Sequence, residues 1–213
     1  MRKLTYAAVA AASFAVAGAG QAATVTYTNS DPTPQVQLTL DDAASPGKIR
    51  FSLSTTLGTA DYLGLGFNFD GTSLMQSAIT LVSATKADGT AITPALKLFG
   101  NNTESQSTCG NGCNFNGAGS ASVFDYIIRI GENGGGINYV KSVVFDIAVT
   151  GGLNNNPFSQ FAVRAQATSN PGGSIKTDLE PETPAPVPLP AGLPLLGSGL
   201  LAIGYLRRRR QTR

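Results

Sequence analysis

The chain has 213 residues, with 15 Lys or Arg, 13 Asp or Glu, and neither His nor Trp; the lack of His excludes Ser–His, Cys–His and His–zinc chemistry. The net charge of +2 is unevenly spread: Arg2, Lys3 and five arginines among the last seven residues are set apart from residues 23–186, which hold 8 basic and all 13 acidic side chains, a net of −5. An acidic body argues against a nucleic-acid partner, which would need a basic face to meet phosphates.

Residues 1–22 have the layout of an export signal. Arg2 and Lys3 are followed by an apolar, Ala-rich run from Ala7 to Ala17 and then by small residues through Gly20 and Ala22. Cleavage after Ala22, or one residue later, fits the small-residue rule at such sites. A β-type segment, Thr24 to Asn29, follows at once, without a helix cap or polar face.

The body, residues 23–178, reads as strands of period two. Val36, Leu38 and Leu40 alternate with Gln35, Gln37 and Thr39, and Ile49, Phe51 and Leu53 with Arg50, Ser52 and Ser54. Leu63, Leu65, Phe67 and Phe69 alternate with Tyr62, Gly64, Gly66 and Asn68. A helical turn is expected near Ser73–Ser77, with weaker strands at Ala78–Ala84 and Ala91–Phe99. Phe124, Tyr126, Ile128 and Ile130 form a face against Asp125 and Arg129. Val143, Phe145, Ile147 and Val149 do so against Asp146, and Phe161, Val163, Ala165 and Ala167 against Arg164, Gln166 and Thr168. One face in the core and one in water is what half-buried strands require. Gly, Asn, Asp, Ser and Pro punctuate the runs, at Asp41 to Gly47, Asp70-Gly71, Asp88-Gly89, Gly131 to Gly136 and Gly151 to Pro157. About eight or nine short strands with such turns predict an all-β fold, an antiparallel β-sandwich of jelly-roll type.

Few residues in the body point to chemistry. Cys109 and Cys113 stand four apart in a Ser-, Asn- and Gly-rich stretch. In an exported chain they predict a disulfide pinning the loop 101–119, worth roughly 2 kcal/mol by loop closure. A redox site would want two intervening residues and a following helix, and zinc would want two further ligands. Asp41, Asp42, Asp70 and Asp88 sit in turns and have the oxygen donors of calcium ligands, but no Asp-x-Asp-x-Asp-Gly loop is present and Asp-Gly is a plain turn signature. Asp125, Asp146 and Glu132 are the candidates for paired-carboxylate glycoside hydrolysis. Asp125 and Asp146 read more simply as the water-facing side of strands. No Ser-x-x-Lys or Gly-x-Ser-x-Gly motif occurs. Asn101-Asn102-Thr103 is a lone sequon, and the polar loops have the composition of sugar-binding surfaces as well as of soluble ones. No metal or organic cofactor is expected.

The C-terminal end begins with a Pro- and Glu-rich spacer, residues 179–186. Val187-Pro188-Leu189-Pro190-Ala191 follows, then an uncharged run from Gly192 to Leu206, then Arg207, Arg208, Arg209 and Arg210. From Val187 to Leu206, about 20 residues, would cross a bilayer as a helix, although Pro188, Pro190 and Pro194 make its first part a poor one. By the positive-inside rule the four arginines hold the distal end in the cytoplasm.

In order and in spacing, Val187 to Arg213 resembles the PEP-CTERM sorting signal in its Val-Pro-Leu-Pro-Ala variant, with Leu189 where the commoner form has Glu. The resemblance implies export by the general secretion machinery, an inner-membrane intermediate, recognition and cutting near the motif by an exosortase, and release to the surface or matrix of a Gram-negative envelope where exopolysaccharide is a partner. The prolines keep the motif extended, as a protease at the membrane surface requires. At the level of pattern, Ala60 to Asp70 and Phe161 to Lys176 also resemble a group of uncharacterised exosortase-dependent surface proteins. The expectation is therefore a non-enzymatic structural, adhesive or exopolysaccharide-associated surface protein. The alternatives are a secreted polysaccharide-active hydrolase and a permanently membrane-anchored envelope protein.

Overall fold

The computed structural model describes residues 23–30, 33–101, 105–117, 122–134, 139–153 and 156–182. The signal segment 1–22 and the sorting segment 187–213 lie outside them. The elements run β1 (Thr24–Thr28), β2 (Gln35–Asp41), β3 (Lys48–Leu57), β4 (Asp61–Phe69), a single 3₁₀ turn (Gln76–Ala78), β5 (Ile79–Thr85), β6 (Lys97–Gly100), β7 (Tyr126–Arg129), β8 (Ser142–Ala148), β9 (Phe158–Gln166), β10 (Ser174–Asp178) and β11 (Glu180–Pro181). They form a six-stranded sheet, β11-β1-β2-β3-β8-β5, and a five-stranded sheet, β10-β9-β4-β7-β6. Neighbouring strands are antiparallel throughout. The sheets face each other as a β-sandwich, and no α-helix occurs among the described residues.

The period-two pattern builds the inter-sheet core as expected in β2, β3 and β8. Val36, Leu38, Leu40, Ile49, Phe51, Val143, Phe145 and Ile147 are fully buried, while their alternating neighbours face outward. Phe51 occupies the middle. It stacks on Phe145 of the adjacent strand at 5.2 Å and meets Phe158 of the opposite sheet edge-on at 5.0 Å. Each such ring pair adds about 0.5–1.5 kcal/mol to the area it buries. Two predicted core residues fall short: Val149 lies beyond β8 and is half-buried, and Ala167 lies beyond β9, exposed, with a φ of 47°.

Strand β4 departs from the alternation because both of its faces are buried. A bulge between Tyr62 and Gly64 shifts the phase. Tyr62 turns into the inter-sheet core, where its hydroxyl lies 2.8 Å from that of Thr55, and Leu63 turns out. Leu65, Phe67 and Phe69 remain inside. On the outer face Leu63 joins Ile127, Ala162, Phe115, Phe124 and the two cysteines in a second, smaller apolar cluster. The alternation places Phe124 on one face with Tyr126, but a bend at Asp125 separates them and sends Phe124 outward.

The cover over this face is the disulfide loop. Cys109 and Cys113 are bonded and buried. Bridges between Gln106 and Phe124 and between Thr108 and Asn114 make the loop a small hairpin. Arg129 donates to the Cys109 carbonyl at 3.0 Å, and the Lys176 ammonium reaches Asn114 Oδ1 and the Asn116 carbonyl at 2.6 Å each. Close approach requires glycine beneath. A Cβ at Gly66 would lie 2.6 Å from the Phe124 ring, and one at Gly64 would lie 2.9 Å from Cys113 Sγ.

Three boundaries differ from expectation. The predicted strand Ala91–Phe99 shrinks to β6, with Ala91 making only a bridge to Thr85, because Pro94 interrupts the run and has no N–H to donate. The predicted turn at Ser73–Ser77 lies slightly later, at Gln76–Ala78. The sheet also continues into the predicted spacer: Leu179 is buried, its N–H donates to the Phe161 carbonyl at 2.8 Å, and Glu180–Pro181 pair with Thr28 and Tyr27. Pro181 is tolerated there because β11 is an edge strand.

Gly66→Val should destabilise the domain by about 1–3 kcal/mol through overpacking against Phe124. Replacing both cysteines by Ala should cost roughly 2 kcal/mol while leaving the far-UV β signature unchanged. Chemical denaturation of each variant checks these values.

Candidate functional site

The two outward faces of the sandwich are chemically opposite. That of the five-stranded sheet is covered at its centre by the disulfide loop over an apolar cluster. That of the six-stranded sheet is polar, and its register lines up three rows across five strands. The first row is Thr24, Asp41, Arg50, Asp146 and Thr80. The second is Thr26, Thr39, Ser52, Val144 and Ser83, and the third is Thr28, Gln37, Ser54, Ser142 and Thr85. Rows in an antiparallel sheet recur about every 7 Å along a strand, with about 4.8 Å between strands. Across these five strands formal charge is confined to the first row, and Glu180 of β11, paired with Thr28, adds a carboxylate at the edge of the third. In the first row Arg50 Nε and Nη2 donate to the two oxygens of Asp146, at 2.8 and 3.1 Å, and this hydrogen bonding raises the Arg50 pKa further above its ordinary value. The other two rows hold hydroxyls, one amide and Val144, with Thr85 and Ser142 joined through their hydroxyls at 2.7 Å. Such a surface donates and accepts hydrogen bonds over a broad area.

The candidate carboxylates are not brought together. Asp146 is buried against Arg50, which corrects its expected place on the water-facing side: the outer face is right, but the ion pair covers it. Asp125, before β7, accepts from the Phe69 N–H at 2.9 Å, whereas Glu132, beyond the other end of β7, pairs with Arg129 at 2.7 Å. The turn aspartates serve the backbone. Asp41 accepts from the Ala43 N–H and Asp88 from the Thr90 N–H, and the latter bond holds the Asp88 carboxyl below its ordinary pKa. Asp70 contributes its own N–H to the Pro157 carbonyl. Among the described residues no three Cys, Asp or Glu side chains gather as a metal site would need.

A cleft of about 300 Å³ lies where β10 crosses to β11, lined by Tyr27, Gln160, Asp178 and Glu180 among others. Gln160 has a φ of 50° in the irregular part of β9, and its side chain accepts a hydrogen bond from Asn68. The two acids come from one short run of chain. They do not read as a pair in the sequence, because Asp178 closes the predicted body and Glu180 falls in the predicted spacer. The polar rows were legible strand by strand, as the residues alternating with the core. Their alignment across five strands was not, since register depends on turns and bulges.

No protein family, curated protein or solved structure matches this chain.

Asp61 is the most deeply buried carboxylate among the described residues, accepting from the Val140 N–H at 2.7 Å and the Gln166 amide at 2.9 Å. Burial raises its pKa, and the two hydrogen bonds offset only part of the rise. The folded form therefore holds this proton more tightly than the unfolded form, and stability falls as pH climbs from about 4 through the raised value. Urea midpoints measured from pH 4 to 8 should show this loss in the wild type, and Asp61→Asn should remove its contribution.

Proposed function

We propose that the protein is an exported, non-enzymatic component of the bacterial cell surface or extracellular matrix, sorted by its C-terminal signal and associated with exopolysaccharide through its β-sandwich. The sorting part rests on the ordered co-occurrence of Val187-Pro188-Leu189-Pro190-Ala191, an uncharged run and Arg207 to Arg210. These residues are the proposed exosortase-recognition motif, membrane span and cytoplasmic stop. The polysaccharide part rests on the outward face of the six-stranded sheet, whose second and third rows offer hydroxyls and an amide, with charge only at the β11 edge, where Glu180 adjoins Thr28. A chain of neutral sugars presents the complementary array of donors and acceptors.

The sandwich itself we read as a rolled type. The pair β3–β8 in one sheet and the pair β4–β7 in the other are nested in sequence, as in a hairpin wound around a core. β1, β2 and β11 extend one sheet, and β9 and β10 the other.

A secreted polysaccharide-active hydrolase is the second reading, favoured by the cleft that holds Asp178 and Glu180. Host exopolysaccharide incubated with the protein separates the two. Binding without release of reducing ends supports the matrix role, and turnover abolished by Glu180→Gln supports the hydrolase. For the matrix role, Thr39→Glu combined with Ser52→Glu should weaken binding by about 1–2 kcal/mol through lost hydrogen bonds. The mass of the surface-located protein tests the sorting. A C-terminus near residues 187–191 is expected, whereas an intact tail through Arg213 would instead mark a permanently anchored envelope protein.

A further inference from the structure

Ala23 is gripped from both sides by Asp42. The Ala23 nitrogen lies 2.9 Å from Asp42 Oδ1, and the Asp42 N–H donates to the Ala23 carbonyl at 3.3 Å. Asp42 Oδ2 accepts from the Leu153 N–H at 2.9 Å, so the carboxylate bridges the start of β1 and the loop after β8. The Ala23 side chain packs against the inter-sheet core. The ion pairs found among the described residues are Arg50–Asp146 and Arg129–Glu132, so no Lys or Arg side chain there neutralises Asp42. A fixed carboxylate with no ion-pair partner among the described residues thus faces the main-chain nitrogen of a residue that the sequence places at the edge of an export signal.

We infer that the export signal is cut between Ala22 and Ala23, and that Asp42 is the acceptor for the α-ammonium this releases. The cut is a hydrolysis. One water adds across the bond, the Ala22 carbonyl carbon takes its hydroxyl, the Ala23 nitrogen takes its proton, and at neutral pH the products ionise to a carboxylate and an ammonium. Before cutting, Ala23 offers Asp42 one neutral N–H. Afterwards it offers a full positive charge and three donors at the same place, a charge-assisted hydrogen bond of roughly twice the strength. Cutting one residue later would discard Ala23, with its core contact and both of its bonds to Asp42. The carboxyl is already held below its ordinary pKa, chiefly by the Leu153 and then the Ala23 N–H, and so is ionised when the ammonium forms.

The inference rests on the export reading, and its test separates the two. The full-length chain is expressed in its host, the exported protein is purified, and its N-terminus is sequenced. Ala23 is the expected first residue. Thr24, or any other residue beyond position 23, would overturn the inference and leave export standing, whereas an N-terminus at Met1 would overturn both. The α-amine is then titrated through its rate of acylation. The wild-type amine should have a pKa above the usual range of about 7.7–8.0 and react about five-fold more slowly near pH 7.5 than in Asp42→Asn. An ordinary wild-type pKa would overturn the role given to Asp42, whether or not the variant folds.

Discussion

The arrangement depends on one strand that must be buried on both sides. β4 is central in the five-stranded sheet and sends Leu65, Phe67 and Phe69 into the inter-sheet core. Its other face lies under the disulfide loop. No strictly alternating strand with large side chains on both faces would permit this, because the loop approaches the backbone closely. The solution is local: two glycines where the loop presses, and a bulge that moves Tyr62 inward and Leu63 outward. The bulge lets a single strand supply the inner core with a tyrosine and the outer cluster with a leucine. The neighbours follow suit, since Ile127 of β7 and Ala162 of β9 alternate with inward-facing residues and complete the floor under the loop.

This double burial makes the sandwich asymmetric. The five-stranded sheet gives the centre of its outer face to a second, smaller apolar cluster. It is secured by a covalent bond, by one Arg129 hydrogen bond to the Cys109 carbonyl, and by Lys176, whose ammonium reaches the Asn114 side chain and the Asn116 carbonyl. The six-stranded sheet keeps its outer face open to solvent and short of charge. Its polar character is the usual counterpart of a one-sided sheet, but the bulge between Leu81 and Ser83 preserves the row alignment out to β5 by pushing Val82, rather than a hydroxyl, out of register. A broad polar surface therefore lies opposite the face that holds the second cluster.

Much of this was legible in the amino-acid pattern. The inward residues of β2, β3 and β8 follow from period two, and the cysteine spacing points to a bridge that pins its loop. What escaped was whatever depends on phase and partners. Nothing local says that Leu63 is the bulged residue or that Phe124 turns away from Tyr126, because both outcomes are decided by a loop some fifty residues downstream of β4. Likewise Asp146 reads as a solvent-facing acid until register sets it opposite Arg50. β10 and β11 escaped because each is short and the second contains Pro181. Only its position beside β1, where an edge strand needs few hydrogen bonds, makes that sequence a strand.

The pairing of β11 with β1 also brings the two ends of the folded body side by side, with Tyr27 opposite Pro181. Cα atoms of facing residues in such a ladder are about 5 Å apart. The body is therefore nearly a closed ring, its order of strands more fundamental than its point of entry. A short linker from the end of β11 to the start of β1 would close that ring. A new opening at the exposed Asp88-Gly89 turn would then give a permuted chain with the same two sheets, and a leader and a tail attached there would leave from the far side of β5 instead.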